Sequence, residues 1–258
     1  MHCLPNLLLV GAQKSGTSWT HMALSHSSKI YASNKKELNH FNKTTYNDHE
    51  QINRYKSNFI IGSERYYLES TPHYFRLPNR NGFCIASNIK SILSEELKLL
   101  VILRNPIERA LSATIHNMLA KRIQYTNKIN NIYDEHFILE FGYYYSILKY
   151  WKSIYGDKLQ YFFYDDLEND PQKFIESILT YLDIHEELPT SIFSVRKNDK
   201  FQKIKYKKNY KLPKCSMNVI KELLDIYYKD IINLFEYTGS YYHNWLDAES
   251  IYNKFNLA

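Results

Sequence analysis

The apolar and polar positions along the chain alternate between two periods. Leu7 to Val10 is an unbroken apolar run, which suits a parallel strand covered on both faces, and from Thr17 the spacing changes to Trp19, Met22 and Ala23, a helical period. Short strand-like runs recur at Lys29 to Ala32, Tyr66 to Ser70, Leu99 to Leu103 and Leu159 to Tyr164, the Tyr66 strand breaking before Pro72. Between them, helical spacing marks Ile89 to Leu97. It returns after Arg104, where Ile107, Ala110, Leu111, Thr114 and Met118 form one face. Asn105 suits the N-cap of that helix, Pro106 its first position, and Glu108 completes a capping box. Further helices are predicted over Phe137 to Tyr155, from Pro171 with Phe174, Ile175, Ile178, Leu179 and Leu182 inward, and over Ser216 to Phe235. Thr44 to Ser63 reads as a surface excursion of mixed helix and turn, and the polar stretch Lys121 to Glu135 as a flexible insertion. Strands alternating with helices predict an α/β fold.

Composition narrows this only a little. At 258 residues the chain can build one sizeable core, so a single domain spanning 1–258 is expected. The 24 tyrosines read as packing rather than as separate functions. The net charge of +6 is concentrated: Arg196 to Lys214 holds nine Lys or Arg against one acid, Asp199. Such a run is a solvated loop, a nucleic-acid or lipid contact, or a lid over an anion. Cys3, Cys84 and Cys215 are odd in number, widely separated and without metal-ligand spacing, which fits reduced thiols. A strand starting within the first seven residues leaves no room for a signal peptide, and no apolar run reaches membrane-spanning length; a cytoplasmic protein is expected.

The chemistry concentrates at Gly11 to Trp19, GAQKSGTSW. Gly11 and Gly16 permit a sharp turn that presents its amides, and the helix opening at Thr17 adds unpaired N–H donors, so the turn suits a phosphate. The glycine spacing is that of the nucleotide P-loop GxxxxGK, but the residue after Gly16 is Thr17 and the lysine is Lys14. Another phosphate-binding loop, or a glycine turn without a ligand, remains open on this stretch alone.

Four segments together carry a family resemblance. GAQKSGTSW resembles the 5′-phosphosulfate-binding loop of the sulfotransferases. NKKELNHF, Asn34 to Phe41, resembles their KEPHFF or KELHYF segment, with Asn39 and then His40 where relatives place histidine first. RYYLESTPHYF, Arg65 to Phe75, matches their GE(K)TPxY segment at Glu69, Thr71, Pro72 and Tyr74, with Ser70 in place of the lysine. RNPIERALSAT, from Arg104, resembles the 3′-phosphate motif RNPxxRxxSxY at Arg104, Asn105, Pro106, Arg109 and Ser112, with Thr114 in place of tyrosine.

The chain thus resembles the sulfotransferases that use 3′-phosphoadenosine 5′-phosphosulfate, of the bacterial and heparan-sulfate type. The resemblance implies a single P-loop-type domain, a central parallel sheet of about five strands flanked by helices, and that nucleotide as co-substrate with no metal. It implies Glu37 and Lys14 as the catalytic pair, and donor contacts from Lys14, Ser15, Gly16, Thr17, Ser18, Trp19, Arg104 and Ser112. Arg196 and Lys197 would close over the adenine and 3′-phosphate. Lys36, His40, Phe41, Glu69, His73 and Tyr74 would face a small-molecule or sugar acceptor, with Thr44 to Ser63 bordering the cleft and His73 as a second possible base. A P-loop nucleotide kinase, or a non-catalytic nucleotide- or nucleic-acid-binding protein, is the alternative class. No membrane span and no nucleic-acid partner are expected. Oligomeric state and acceptor identity are not legible.

Overall fold

An apolar run with no polar face needs cover on both sides, and β1 (Leu7–Gly11) has it: every position is buried. In the computed structural model, which describes residues 1–194 and 211–256, β1 is the middle strand of a five-stranded parallel sheet. Its partners are β2 (Ile30–Ala32), β3 (Tyr66–Ser70), β4 (Lys98–Leu103) and β6 (Leu159–Phe163), in the order β2-β3-β1-β4-β6. The register pairs Leu7 with Leu68 on one side and with Lys98 on the other, and Leu99 with Leu159 further out. The chain builds β2 and β3 on one flank of β1 and then crosses to β4 on the other. In open α/β sheets, ligands bind at the carboxyl ends of the strands where winding reverses in this way.

The chain divides into two compact units, Met1–Leu103 with Tyr150–Lys197, and Arg104–Lys149 with Asn198–Ala258. In the first, α1 (Thr17–Leu24) and α7 (Pro171–Tyr181) cover one face of the sheet. Trp19, Ala23 and Leu24 meet Phe174, Ile175, Ile178 and Leu179 over Leu7, Leu9, Leu68, Leu100 and Ile102. Each such large side chain contributes about 1.5–3 kcal/mol on burial, so the sheet and its two helices stand on a conventional apolar core. The second unit is built around α4 (Pro106–Leu119) and α8 (Met217–Thr238), with α9 (Ala248–Asn256) at its end. Ser216 Oγ accepts from Val219 N–H to start α8, and Gly239, at φ 69°, ends it. Trp245 is fully buried against Phe235 and Tyr242.

Four expectations need correction. The helix expected over Ile89 to Leu97 is α3 (Ile85–Ile92): Cys84 Sγ accepts from Ser87 N–H and starts it early, and Leu93 (ψ 153°) ends it. Leu93 and Leu97 stay buried in the turn that follows, since burial does not require helicity. The aromatic stretch from Phe137 is not one helix. Two 3₁₀ turns, Glu135–Phe137 and Glu140–Gly142, precede α5 (Tyr144–Tyr155), and His136 and Phe137 take left-handed φ values of 58° and 60°. A further break falls at Tyr143 (φ −79°, ψ 68°), after which the Tyr145 and Ser146 amides donate to the Asp230 carboxylate at 2.9 and 3.3 Å and α5 begins. Tyr144, Leu148 and Trp151, at helical spacing, are fully buried and serve packing. The polar stretch 121–135 is tied down rather than loose: β5 (Lys128–Ile129) pairs with β7 (Lys214–Cys215), and Tyr125 Oη donates to the Lys211 carbonyl at 2.6 Å. Glu108 does not close a capping box; its carboxylate pairs with Arg104 and Lys254.

Candidate active site

The loop from Gly11 to Gly16 leaves the carboxyl end of β1 and is fastened to the neighbouring strand, with Ala12 N–H donating to the Ile102 carbonyl at 2.9 Å. Glycine is required at both ends of it. A Cβ on Gly11 would lie 2.4 Å from Phe75 Cβ, and Gly16, at φ 82°, has Leu167 Cδ2 2.7 Å from where its Cβ would be. Lys14 also lies in the left-handed region, at φ 69°, an uncommon setting for a side-chain-bearing residue and one that concentrates at functional turns. No side chain caps the N-terminus of α1 at Gly16. Ser15 is fully buried with its hydroxyl unpartnered. An uncapped helix N-terminus and an orphaned hydroxyl are what a phosphate-binding turn offers.

Beside this loop stands Glu37, where the chain turns after β2. Its backbone is left-handed (φ 64°), and its carboxylate accepts from Lys36 Nζ at 2.9 Å; the same ammonium lies 3.5 Å from Thr17 Oγ1 of the loop. The Glu37 segment hangs from the end of β3 by backbone amides. Glu37 N–H donates to the Ser70 carbonyl at 2.9 Å, Leu38 N–H to the Glu69 carboxylate, Asn39 N–H to Thr71 Oγ1 at 3.3 Å and Phe41 N–H to Tyr74 Oη at 3.3 Å. Glu69 is the hub. It is fully buried, accepts from Thr71 Oγ1 and, at 3.4 Å, from Tyr55 Oη. Burial pushes its carboxyl up to about 7, against the opposing pull of the Thr71, Tyr55 and Tyr74 hydroxyls and the Leu38 amide.

This arrangement corrects several expected contacts. Glu69, Phe41 and Tyr74 are completely enclosed, and His40 is 3% exposed, so they form the mounting of the Glu37 segment rather than a cleft wall. His40 stacks on Tyr55 with ring centroids 4.1 Å apart, and burial, followed by the nearby Lys43 charge, lowers its pKa to about 4. Within 44–63 only Tyr55 and Phe59 are buried, the Tyr55 ring packing beside Glu69, and the rest of the segment lies at the surface. Trp19 packs on Phe174 in the core and is 8% exposed. Thr17 and Ser112 are buried, while Lys14, Gly16, Ser18, Lys36, Glu37, His73 and Arg104 keep partial exposure. His73 Nε2 lies 3.0 Å from Gln13 Nε2 in the loop, a contact no motif signalled. His21 Nδ1 and Ser70 Oγ, 2.8 Å apart, link α1 to the end of β3. Arg196 and Lys197 lie outside the described residues.

In the second unit, Arg104 follows directly on β4 and precedes α4, whose N-cap Asn105 accepts from the Ile107 and Glu108 amides at 3.0 and 3.4 Å. Its guanidinium is oriented by Glu108 one turn on, Nε at 3.1 Å and Nη2 at 2.7 Å from the same oxygen. The Glu108 carboxyl is held below its usual range: burial raises it, but Arg104 and Lys254 outweigh that. Arg109 is fully buried and donates to the Ile138 carbonyl, so it braces the 3₁₀ turn rather than reaching toward a ligand.

A parallel sheet whose middle strand feeds a glycine-bounded turn and an uncapped helix, with a carboxylate–ammonium pair beside it, is an α/β fold with a turn suited to an anion. The family model for the sulfotransferase domain matches residues 4–225, and the chain belongs to that family. The crystal structure of a sulfotransferase from Alicyclobacillus acidocaldarius superposes with a TM-score of 0.72 over 95% of this chain and 100% of that one, at 20% identity, a likeness of fold. The sulfotransferase domain of the Synechococcus PCC 7002 olefin synthase gives 0.50 over 88% and 96%, at 15% identity. Among curated proteins, the membrane-associated sulfotransferase kil1 of Dictyostelium discoideum is 32% identical over 111 residues, 43% of this chain and 22% of that protein's length. Among the described residues, no helix is long and apolar enough to cross a membrane.

Proposed function

We propose that the chain is a sulfotransferase that moves a sulfuryl group from 3′-phosphoadenosine 5′-phosphosulfate to a hydroxyl or amine of a small-molecule or sugar acceptor, in line, with Glu37 as general base. One observation carries this reading: Lys36 Nζ stands 2.9 Å from Glu37 Oε1 and 3.5 Å from Thr17 Oγ1, so a base and a phosphate loop share one ammonium. A carboxylate at that position can take the acceptor's proton as the acceptor attacks sulfur.

The bond that breaks joins sulfur to the bridging oxygen of the donor's 5′-phosphate, and the new bond joins sulfur to the acceptor. Charge therefore grows on the leaving phosphate oxygen, where Lys14 stabilises it. Amides and hydroxyls of Ser15, Gly16, Thr17 and Ser18 hold the 5′-phosphate; the unpartnered Ser15 hydroxyl and the uncapped start of α1 fit that group. Arg104 and Ser112 take the 3′-phosphate, the planar fork of the arginine matching the phosphate oxygens. As in phosphoryl transfer, with its loose transition state, positioning and charge stabilisation do most of the work. Cys3, Cys84 and Cys215 are all free thiols, which supports a reducing, cytoplasmic setting.

The deciding experiment supplies labelled donor with a panel of hydroxyl and amine acceptors and follows label by mass spectrometry, with ATP and magnesium in a parallel series. Transfer by the native chain and its loss in Lys14→Ala and Glu37→Gln is the expected outcome. Calorimetry showing no binding of 3′-phosphoadenosine 5′-phosphate would overturn the reading, and ATP turnover without sulfuryl transfer would replace it with a kinase.

A further inference from the structure

Lys254 stands on the last turn of α9, beyond the stretch matched by the family model. Its ammonium lies 3.0 Å from Glu108 Oε1, while the other oxygen of the same carboxylate holds Arg104 Nη2 at 2.7 Å. Glu108 is only 7% exposed and Arg104 14%, while the Lys254 side chain is 40% exposed, so the central carboxylate and its arginine are largely withdrawn from water, where ion pairs are screened least, and the lysine reaches in from the surface. The helix carrying Lys254 is itself fixed by the Asn256 side chain. That amide accepts from Cys215 N–H at 2.8 Å and donates to the Cys215 carbonyl at 3.1 Å. A flexible side chain thus acts from a fixed base.

We infer that Lys254 is a positioning residue for Arg104: by holding one oxygen of Glu108, it sets the direction of the arginine fork and with it the preference for nucleotides bearing a 3′-phosphate. The inference rests on the proposed role of Arg104. A carboxylate bound only by Arg104 can rotate with its partner, and the fork then samples several directions. A carboxylate held by a second cation from another helix cannot, and a bidentate contact to a phosphate loses strength quickly with misalignment. An ion pair that only anchored α9 would have no reason to affect one nucleotide more than another.

The test compares affinities for 3′-phosphoadenosine 5′-phosphate and adenosine 5′-phosphate by calorimetry in the native chain, Lys254→Met, Lys254→Arg and Glu108→Gln. Lys254→Met is expected to lower the affinity ratio roughly tenfold, within the range that a shared ion-pair network transmits, with adenosine 5′-phosphate binding unchanged. Lys254→Arg is expected to restore most of it. The loss in the Lys254→Met/Glu108→Gln double variant is expected to fall short of the sum of the singles. Equal weakening of both nucleotides, or a lowered melting temperature with an unchanged ratio, would overturn the inference and leave Lys254 as an anchor. A native chain that does not favour the 3′-phosphorylated nucleotide would instead remove the proposed role of Arg104.

Discussion

Lys36 and Glu37 are consecutive residues, yet their side chains meet, Nζ to Oε1 at 2.9 Å. Successive side chains of an extended strand point to opposite faces, and the left-handed backbone at Glu37, φ 64°, is what brings this pair to the same side. The pair is 19% and 42% exposed, so it adds at most about 1 kcal/mol to stability. Its consequence is therefore orientation: the Glu37 carboxylate is aimed by the ammonium that also reaches Thr17.

Glu37→Gln is expected to lower kcat by about 10²- to 10⁴-fold, the usual contribution of a general base, while leaving nucleotide affinity intact. Single-turnover kinetics with bound donor, together with calorimetry, separate the two quantities. A near-native rate with a good acceptor would remove Glu37 from the mechanism.

Lys14→Ala and Arg104→Ala are expected to fail differently. In the proposed mechanism Lys14 would act on charge that grows during bond breaking, so its loss is expected to lower kcat by roughly 10²- to 10³-fold, as for removal of a donor to a developing oxyanion. In the same proposal Arg104 would meet a charge already present in the ground state, so its loss is expected to raise the dissociation constant of the nucleotide more than it lowers kcat. Steady-state kinetics on both variants distinguish the patterns.

Gly16→Ala is expected to destabilise the fold by about 1–3 kcal/mol from its left-handed backbone alone, with more from the clash at Leu167 and Tyr164. Thermal unfolding reads the first effect. Loss of nucleotide binding in the folded fraction reads the second, because the turn cannot keep its shape while making room.

Glu69 makes stability depend on pH. Its carboxyl titrates at about 7 in the folded protein and at 4.5 ordinarily, so between those values the folded state holds a proton that the unfolded chain has released. Stability contributed by this group therefore falls as pH rises from 4.5 to about 7, by an amount on the order of 3 kcal/mol, and is level above that. His40, depressed to about 4, works in the opposite direction between 4 and 6.5. The measurement is accordingly the difference in unfolding free energy between the native chain and Glu69→Gln. That difference should move against the native chain across this window, and a pH-independent difference would show that Glu69 is not titrating there.

Asn105→Ala is expected to cost about 1 kcal/mol through loss of the α4 cap, with Asn105→Ser close to native. Chemical denaturation of the three proteins provides the comparison.

Strands were legible because their apolar runs are short, continuous and bounded, and the predicted Tyr66 to Ser70 coincides with β3. The phosphate loop was legible because glycine at positions 11 and 16 is dictated by sterics, and α4 because Asn105 and Pro106 are strong start signals. Failures have equally specific causes. Periodicity from Phe137 to Tyr155 continues through the 3₁₀ turns, while the backbone leaves helical geometry at His136, Phe137 and Tyr143. Polar motif residues such as Glu69 and His40 suggest a wet cleft, but a polar group whose bonds are met by neighbouring hydroxyls and amides can be buried. Two-residue strands such as β5 and β7 are too short for any pattern, and a lysine near the end of a chain, as at 254, reads as ordinary surface.

The segment bearing Glu37 is suspended by main-chain amides, and the groups that receive them belong to the far side of the joint. The partly exposed side chains of Leu38, Asn39 and Asn42 can therefore be exchanged over evolutionary time while the joint keeps its hold, in the way that a tool is changed without rebuilding its handle. Diversification of acceptor preference would then proceed through those substituents, while Glu69, Thr71 and Tyr74 stay in place as the socket.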